Sequence, residues 1–224
     1  MKPKVKICGI TNLIDAKNAL NLGADYIGFI NINRSSRFIT TEEIEEILKS
    51  FSEIEKQNVV LLTDINSIDT VINISSRLGI KILQPYGSLS NNDLHRLRLL
   101  GYKIFKPINV ATEDDLDQIE EYLDCTDAII LDTKITDAAI LGGTGLSFDW
   151  DLYVQAKSLT TVPLGLAGGI KIENLEEAMR KCQPAMIDIS SGLETSPGLK
   201  SLEKMKSLFA LINSLDLLQN QQSS

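Results

Sequence analysis

The chain has 224 residues, with 30 acidic against 22 basic side chains and a formal charge of −8, so a small-molecule partner is expected rather than nucleic acid. Three widely spaced cysteines, Cys8, Cys125 and Cys182, fit neither a disulfide framework nor paired metal-ligand spacing, and point to a reducing compartment. The opening MKPKVKICGIT lacks a signal-peptide core, and no run of about 18 apolar residues occurs, so the expectation is a cytoplasmic protein without a membrane partner.

Short β-branched runs alternate with longer stretches of helical period, the pattern of βαβ units around a parallel sheet. Eight strands are expected: KVKIC (4–8), DYIGFI (25–30), NVVLLT (58–63), IKIL (80–83), YKIFKPI (102–108), DAIILD (127–132), VPLGLA (162–167) and AMIDIS (185–190). After the first strand, residues 12–22 place Ile14, Leu20 and alanines on one stripe, and Gly23 supplies a left-handed stop. Thr40 and Thr41 before EEIEEILK read as an N-cap with acids in the first turn. A helix from Leu199 to Leu217 would close the ring. No linker or composition shift divides the chain. The expected architecture is therefore α/β, a (β/α)8 TIM barrel in one domain over residues 1–218, followed by a polar, frayed tail over 219–224. The alternative, an open doubly wound sheet, needs GxGxxG at its first strand-to-helix turn in the dinucleotide form, and that turn reads CGITN.

In a barrel, chemistry belongs at the C-terminal strand ends. The seventh and eighth strands lead into AGGI, with Gly168 and Gly169, and SSGLE, with Ser190, Ser191 and Gly192. Glycines let backbone N–H groups approach an anion and serines add donors, so the two loops together suggest a phosphate site; ordinary tight turns are the plain alternative. Strand alternation puts Val5 and Ile7 toward the helices and Lys6 and Cys8 into the barrel, with Ala128, Ile130 and Asp132 sharing a face in the sixth strand. Cys8 is then either a reactive thiol or a small buried hydrophobe, and Asp132 an acid at the mouth or a cap. Lys6 and Asp188 share inward parity on adjacent first and eighth strands, and should form a buried ion pair beneath the site. Arg37, in NRSSRF, is a candidate for a substrate carboxylate, with Arg34 competing. The long loop after the sixth strand, with Gly142, Gly143 and Gly145, is a candidate lid. His95, on an outer helix, reads as a surface residue.

KICGIT, GADYIGF with SxR, ILDT, GGTGxxFDW, LAGGI and DISSGLE, in this order over nearly the whole chain, resemble the phosphoribosylanthranilate isomerase family. The resemblance implies an Amadori rearrangement of N-(5'-phosphoribosyl)anthranilate in tryptophan biosynthesis, with no metal or cofactor, in a monomer or homodimer. It assigns Asp132 as general acid, Cys8 as general base, Arg37 to the anthranilate carboxylate, and Gly169, Ser190, Ser191 and Gly192 to the phosphate region. These roles call for a raised pKa at Asp132 and a lowered one at Cys8, a partly exposed thiolate.

Two positions depart from the family pattern. The usual QLHG reads QPYG, placing Pro85 and Tyr86, and the usual GFxF reads GFIN, placing Asn31. They keep open a barrel for a related aminoaldose phosphate and a silent paralogue binding a ligand or partner, while the glycine loops alone would also suit a lyase or synthase. A cysteine ending the first strand argues against the synthases, and retention of both Cys8 and Asp132 against the silent paralogue.

Overall fold

The structure, a computed structural model, describes residues 2–133 and 149–222. Eight parallel strands form a closed barrel in chain order: β1 (Lys4–Cys8), β2 (Tyr26–Asn31), β3 (Val59–Thr63), β4 (Ile82–Pro85), β5 (Lys103–Val110), β6 (Ala128–Thr133), β7 (Leu164–Leu166) and β8 (Met186–Ile189). Closure pairs β8 with β1, and the register sets Lys6 against Asp188. Around it lie α1 (Leu13–Leu22), α2 (Thr41–Leu48), the single turn α3 (Glu53–Lys56), α4 (Ile68–Leu78), α5 (Asn91–Leu99), α6 (Gln118–Tyr122), α7 (Trp150–Leu159), α8 (Ile172–Cys182) and α9 (Leu202–Gln222). All eight expected strands are present, displaced by at most two residues at their ends.

Local chemistry sets the helix ends. The Asn12 side chain accepts from the Asp15 N–H at 2.8 Å, and Gly23 closes α1 at φ +104°, where a Cβ would be strained. Thr40 caps α2 reciprocally with Glu43, a capping box. Three details differ from expectation. Ile14 is 72% exposed and drops out of the α1 stripe, where Ala16 and Ala19 are buried as expected, Leu20 packs partly buried against the core, and Asp15 is buried beside them. The last helix starts at Leu202 rather than Leu199, because Leu199–Lys200 (β10) pairs antiparallel with Glu194–Ser196 (β9) in a hairpin. Its far end also runs past the expected stop, through Gln222, into the segment read as a frayed tail.

Strand alternation divides the apolar interior in two. Val5, Ile7, Ile27, Phe29, Leu61 and Ile187 belong to the layer between barrel and helices. Cys8, Val60, Leu62, Ile82, Phe105, Ala128, Ile130 and Met186 fill the barrel itself. Burial of each large aliphatic side chain contributes about 1.5–3 kcal/mol. The filled barrel is a packed plug, and chemistry in such a fold belongs at the mouth where the strands finish. His95 lies exposed on α5, and no helix among the described residues is long and apolar enough to cross a membrane.

Candidate active site

Lys6 and Cys8 both point into the barrel from β1, as alternation requires. Lys6 is completely buried and its ammonium donates to Asp188 Oδ2 at 2.7 Å, which gives the expected ion pair. The same ammonium lies close enough to the Cys8 sulfur for the two to attract each other. Burial pulls the ammonium down, but attraction to Asp188 and to the sulfur outweighs it, so the Lys6 pKa lies above its ordinary value. Room for this cluster comes from β2. Gly28 pairs with Cys8, and a Cβ there would lie 3.0 Å from the sulfur and 3.3 Å from Lys6 Nζ.

The thiol itself departs from expectation. Cys8 is 7% exposed, and burial pushes its pKa up; the positive charges of Lys6 and Lys200 pull the other way, with Asp188 reinforcing the rise. A partly exposed, readily ionised thiolate is therefore incorrect for this site. Desolvation outweighs the two cations because the sulfur sits inside the apolar plug.

Across the mouth, Asp132 follows Ala128 and Ile130, both of which line the barrel interior. Tyr86 stands close enough to feel the charges of Asp132, Cys8 and Asp188. Burial, reinforced by these acids, holds its phenol protonated far above the ordinary range. Its oxygen accepts from Gln84 Nε2 at 3.1 Å. A 270 Å³ cavity opens beside it, between Lys106, Asn109 and Gln118, on the side of the mouth away from β7 and β8. Asn31, the other departure, ends β2 and donates to the Ile39 carbonyl at 2.8 Å, so it braces the following loop.

The two glycine loops after β7 and β8 meet. Gly168 and Gly169 lie at φ +78° and +67°, a left-handed pair that only glycine adopts without cost. A Cβ at Gly192 would collide with the Ile170 carbonyl oxygen, so the loop after β8 packs directly on the loop after β7. Ser191–Leu193 form one 3-10 turn that begins at Ser190. Close-packed glycine turns at this end of a barrel are the kind of backbone that can bring N–H groups up to an anion.

Arg37 reaches the same end of the barrel. A Cβ at Gly9, the residue after Cys8, would lie 2.5 Å from Arg37 Cδ and 2.8 Å from Ser190 Oγ. Its guanidinium forms a two-pronged pair with Glu194, Nε to Oε1 at 2.8 Å and Nη2 to Oε2 at 2.7 Å, which raises the Arg37 pKa. Arg34, by contrast, is mostly exposed and pairs with Asp64 at 3.4 Å. Glu194 and the fully buried Lys200 were missed in the sequence, where the segment read as loop and helix start. The glutamate of SSGLE was visible, but nothing local marked it as the partner of an arginine in another loop.

The glycine-rich candidate lid, with Gly142, Gly143 and Gly145, lies outside the described residues. Among the described residues, no group of three or more His, Cys, Asp or Glu side chains is placed to hold a metal ion.

A family profile described as N-(5'phosphoribosyl)anthranilate (PRA) isomerase matches residues 5–210. The chain is 37% identical over 203 residues to the N-(5'-phosphoribosyl)anthranilate isomerase of Bacillus mycoides, covering 91% of this chain and 94% of that one. It is 33% identical over 209 residues to the enzyme of the same name from Gloeothece citriformis, covering 92% of each. Its fold superposes on the solved phosphoribosyl anthranilate isomerase of Thermotoga maritima with a TM-score of 0.82 at 28% identity, over 95% of this chain and 99% of that one. A second such isomerase, solved in complex with reduced 1-(o-carboxyphenylamino)-1-deoxyribulose 5-phosphate, matches with a TM-score of 0.79 at 26% identity and the same coverage. The chain belongs to the N-(5'-phosphoribosyl)anthranilate isomerase family.

Proposed function

We propose that the chain converts N-(5'-phosphoribosyl)anthranilate into 1-(2-carboxyphenylamino)-1-deoxyribulose 5-phosphate, a step of tryptophan biosynthesis, in the cytoplasm. The observation that carries this is the inward placement of Cys8 and Asp132 on β1 and β6 of a family barrel, with paired glycine turns after β7 and β8.

Asp132 acts as general acid and protonates the furanose ring oxygen as the C1′–O bond breaks, leaving a Schiff-base cation. Cys8 then acts as general base and takes the C2′ proton; the C–H pair neutralises the imine as an enolamine forms. Proton return to C1′, with loss of the C2′ hydroxyl proton, gives the ketone. Ring opening creates positive charge beside the thiol. That charge, with Lys6 and Lys200, favours the thiolate at the step that uses it, which fits a sulfur that is otherwise held protonated by burial. Arg37 faces the anthranilate carboxylate, while Gly168, Gly169, Ser190, Ser191 and Gly192 take the phosphate through backbone N–H groups and hydroxyls. Lys6 and Asp188 support the base from below.

A turnover assay with freshly prepared phosphoribosylanthranilate tests this reading, with Cys8→Ser and Asp132→Asn beside the unaltered protein. Turnover by the unaltered protein and loss of kcat in both variants are expected. No turnover by the unaltered protein would sink the activity; near-normal kcat in both variants would sink the assigned roles.

A further inference from the structure

The β9–β10 hairpin belongs to no βα unit and carries neither the proposed acid nor the proposed base. It nevertheless holds two charges out of water. Lys200 is fully buried at its side chain and Glu194 only 5% exposed, and their charged groups are 2.7 Å apart. A buried pair is a poor net stabiliser, so its hydrogen bonds to other groups decide what it does.

Those bonds run in two directions. Glu194 uses both oxygens on Arg37, at 2.8 and 2.7 Å. Lys200 Nζ donates to Glu194 Oε1 at 2.7 Å and to the Ser190 carbonyl and hydroxyl oxygens at 3.3 and 3.4 Å. One ammonium therefore links the loop after β8 to the carboxylate that orients the arginine of the loop after β2. The hairpin is itself anchored to the β1–α1 turn and the first turn of α1. Thr11 Oγ1 donates to the Gly198 carbonyl at 2.5 Å, and buried Asp15 accepts from the Lys200 N–H at 2.8 Å. Nη1 spends one hydrogen on Ser36 Oγ at 3.3 Å and Nη2 one on Glu194, so among the described residues the second hydrogen of each is left for an incoming carboxylate.

We propose that Glu194 and Lys200 are positioning residues that fix Arg37 and Ser190 relative to each other, so that the site selects ligands by the span between a carboxylate and a phosphate. The inference rests on the reading of Arg37 as the carboxylate clamp and Ser190 as part of the phosphate loop. Freed from Glu194, the long arginine side chain samples many rotamers and binds a carboxylate less well, while the chemistry at Cys8 and Asp132 proceeds once substrate is seated.

The test compares phosphoribosylanthranilate with its counterpart made from aniline, which lacks the carboxylate. Glu194→Gln should raise KM for the carboxylated substrate about tenfold with a much smaller change in kcat, and should raise KM for the aniline compound, which keeps only the phosphate, by a much smaller factor. The preference for the carboxylate then collapses, as it should in Arg37→Ala, and adding Glu194→Gln to Arg37→Ala should lower it no further. Lys200→Met should also weaken competitive inhibition by inorganic phosphate several-fold. If Arg37→Ala collapses the preference and Glu194→Gln leaves it intact, the positioning role is wrong and the clamp stands. If Arg37→Ala leaves the preference intact, the clamp itself is wrong. Undiminished phosphate inhibition in Lys200→Met overturns the link to Ser190. Should Glu194→Gln fail to fold, Glu194→Asp carries the same comparison, since it keeps the charge and retracts it by one methylene; an unaltered preference there overturns the role equally.

Discussion

Cys8 faces Gly28 across the first two strands, and the glycine leaves the space that the sulfur and the Lys6 ammonium occupy. Its backbone is not in the left-handed region, so side-chain room alone is at issue. Gly28→Ala would press a methyl 3.0 Å from Sγ and 3.3 Å from Nζ, within a plug that also holds Leu62 at 3.1 Å. Overpacking of this kind costs about 1–3 kcal/mol of stability. Displacement of the base should cut kcat by about tenfold or more, since catalysis is sensitive to misplacements of under 1 Å. Steady-state kinetics and thermal unfolding of the variant check both numbers. Unaltered kcat in a folded variant would mean that the position of the sulfur does not matter to the rate.

The buried thiol carries a pH signature. Because burial raises the Cys8 pKa, alkylation by iodoacetamide should accelerate only as pH climbs above about 8.5, the ordinary thiol value. Lys6 stabilises the thiolate and Asp188 opposes it. Lys6→Met should therefore move the alkylation profile to higher pH, and Asp188→Asn to lower pH. Cys125 and Cys182 are also raised by burial, Cys182 to about 12, so the rate must be read at Cys8 by peptide mass spectrometry. A shift of the same sign in both variants would refute the cluster's electrostatic role.

Much of this was legible from alternation and order alone. Lys6 and Asp188 could be paired in advance because closing an eight-stranded parallel barrel makes β1 and β8 neighbours, and parity then sends both side chains inward. Asp15 shows the opposite case. Its helix offers Ile14 to a periodicity argument, yet the acid is buried because Asn12 and the Lys200 N–H, 185 residues away, both donate to it. Glu194 was equally hidden, since its arginine lies 157 residues earlier in another loop. The ionisation of Cys8 was misjudged for a related reason: charge partners can be listed from strand parity, but desolvation depends on how tightly the whole barrel closes over the sulfur.

The Lys6–Asp188 pair should behave as a costly fixture. Removing either partner leaves a charge buried without its counter-ion, and among the described residues Asp188 Oδ1 already has no hydrogen-bond partner. Asp188→Asn or Lys6→Met should each lose about 3–5 kcal/mol, while Lys6→Met with Asp188→Leu should recover most of that loss. Urea unfolding of the two single variants and the double variant measures the coupling. Losses that simply add would show that the pair is not an isolated buried unit.

Glu194 makes the last prediction, in acid. Burial pushes its carboxyl up, but hydrogen bonds from Arg37 and Lys200 outweigh this and hold its pKa below the ordinary value. A depressed folded-state pKa means that the stabilisation is fully present above the unfolded value of about 4.3 and is lost as pH falls through the folded one. Arg37 remains a cation throughout that window. Glu194→Gln should therefore be less stable than the unaltered protein at pH 7 by about 1–3 kcal/mol, the worth of charge-assisted hydrogen bonds. The gap should narrow steadily as the buffer is taken below the ordinary carboxylate range. Urea denaturation at a series of pH values from neutrality downward gives the two curves. A gap that keeps its neutral value in acid would show that the carboxylate charge does not hold Arg37 and Lys200, and would remove the electrostatic basis for treating the hairpin as the clamp's support.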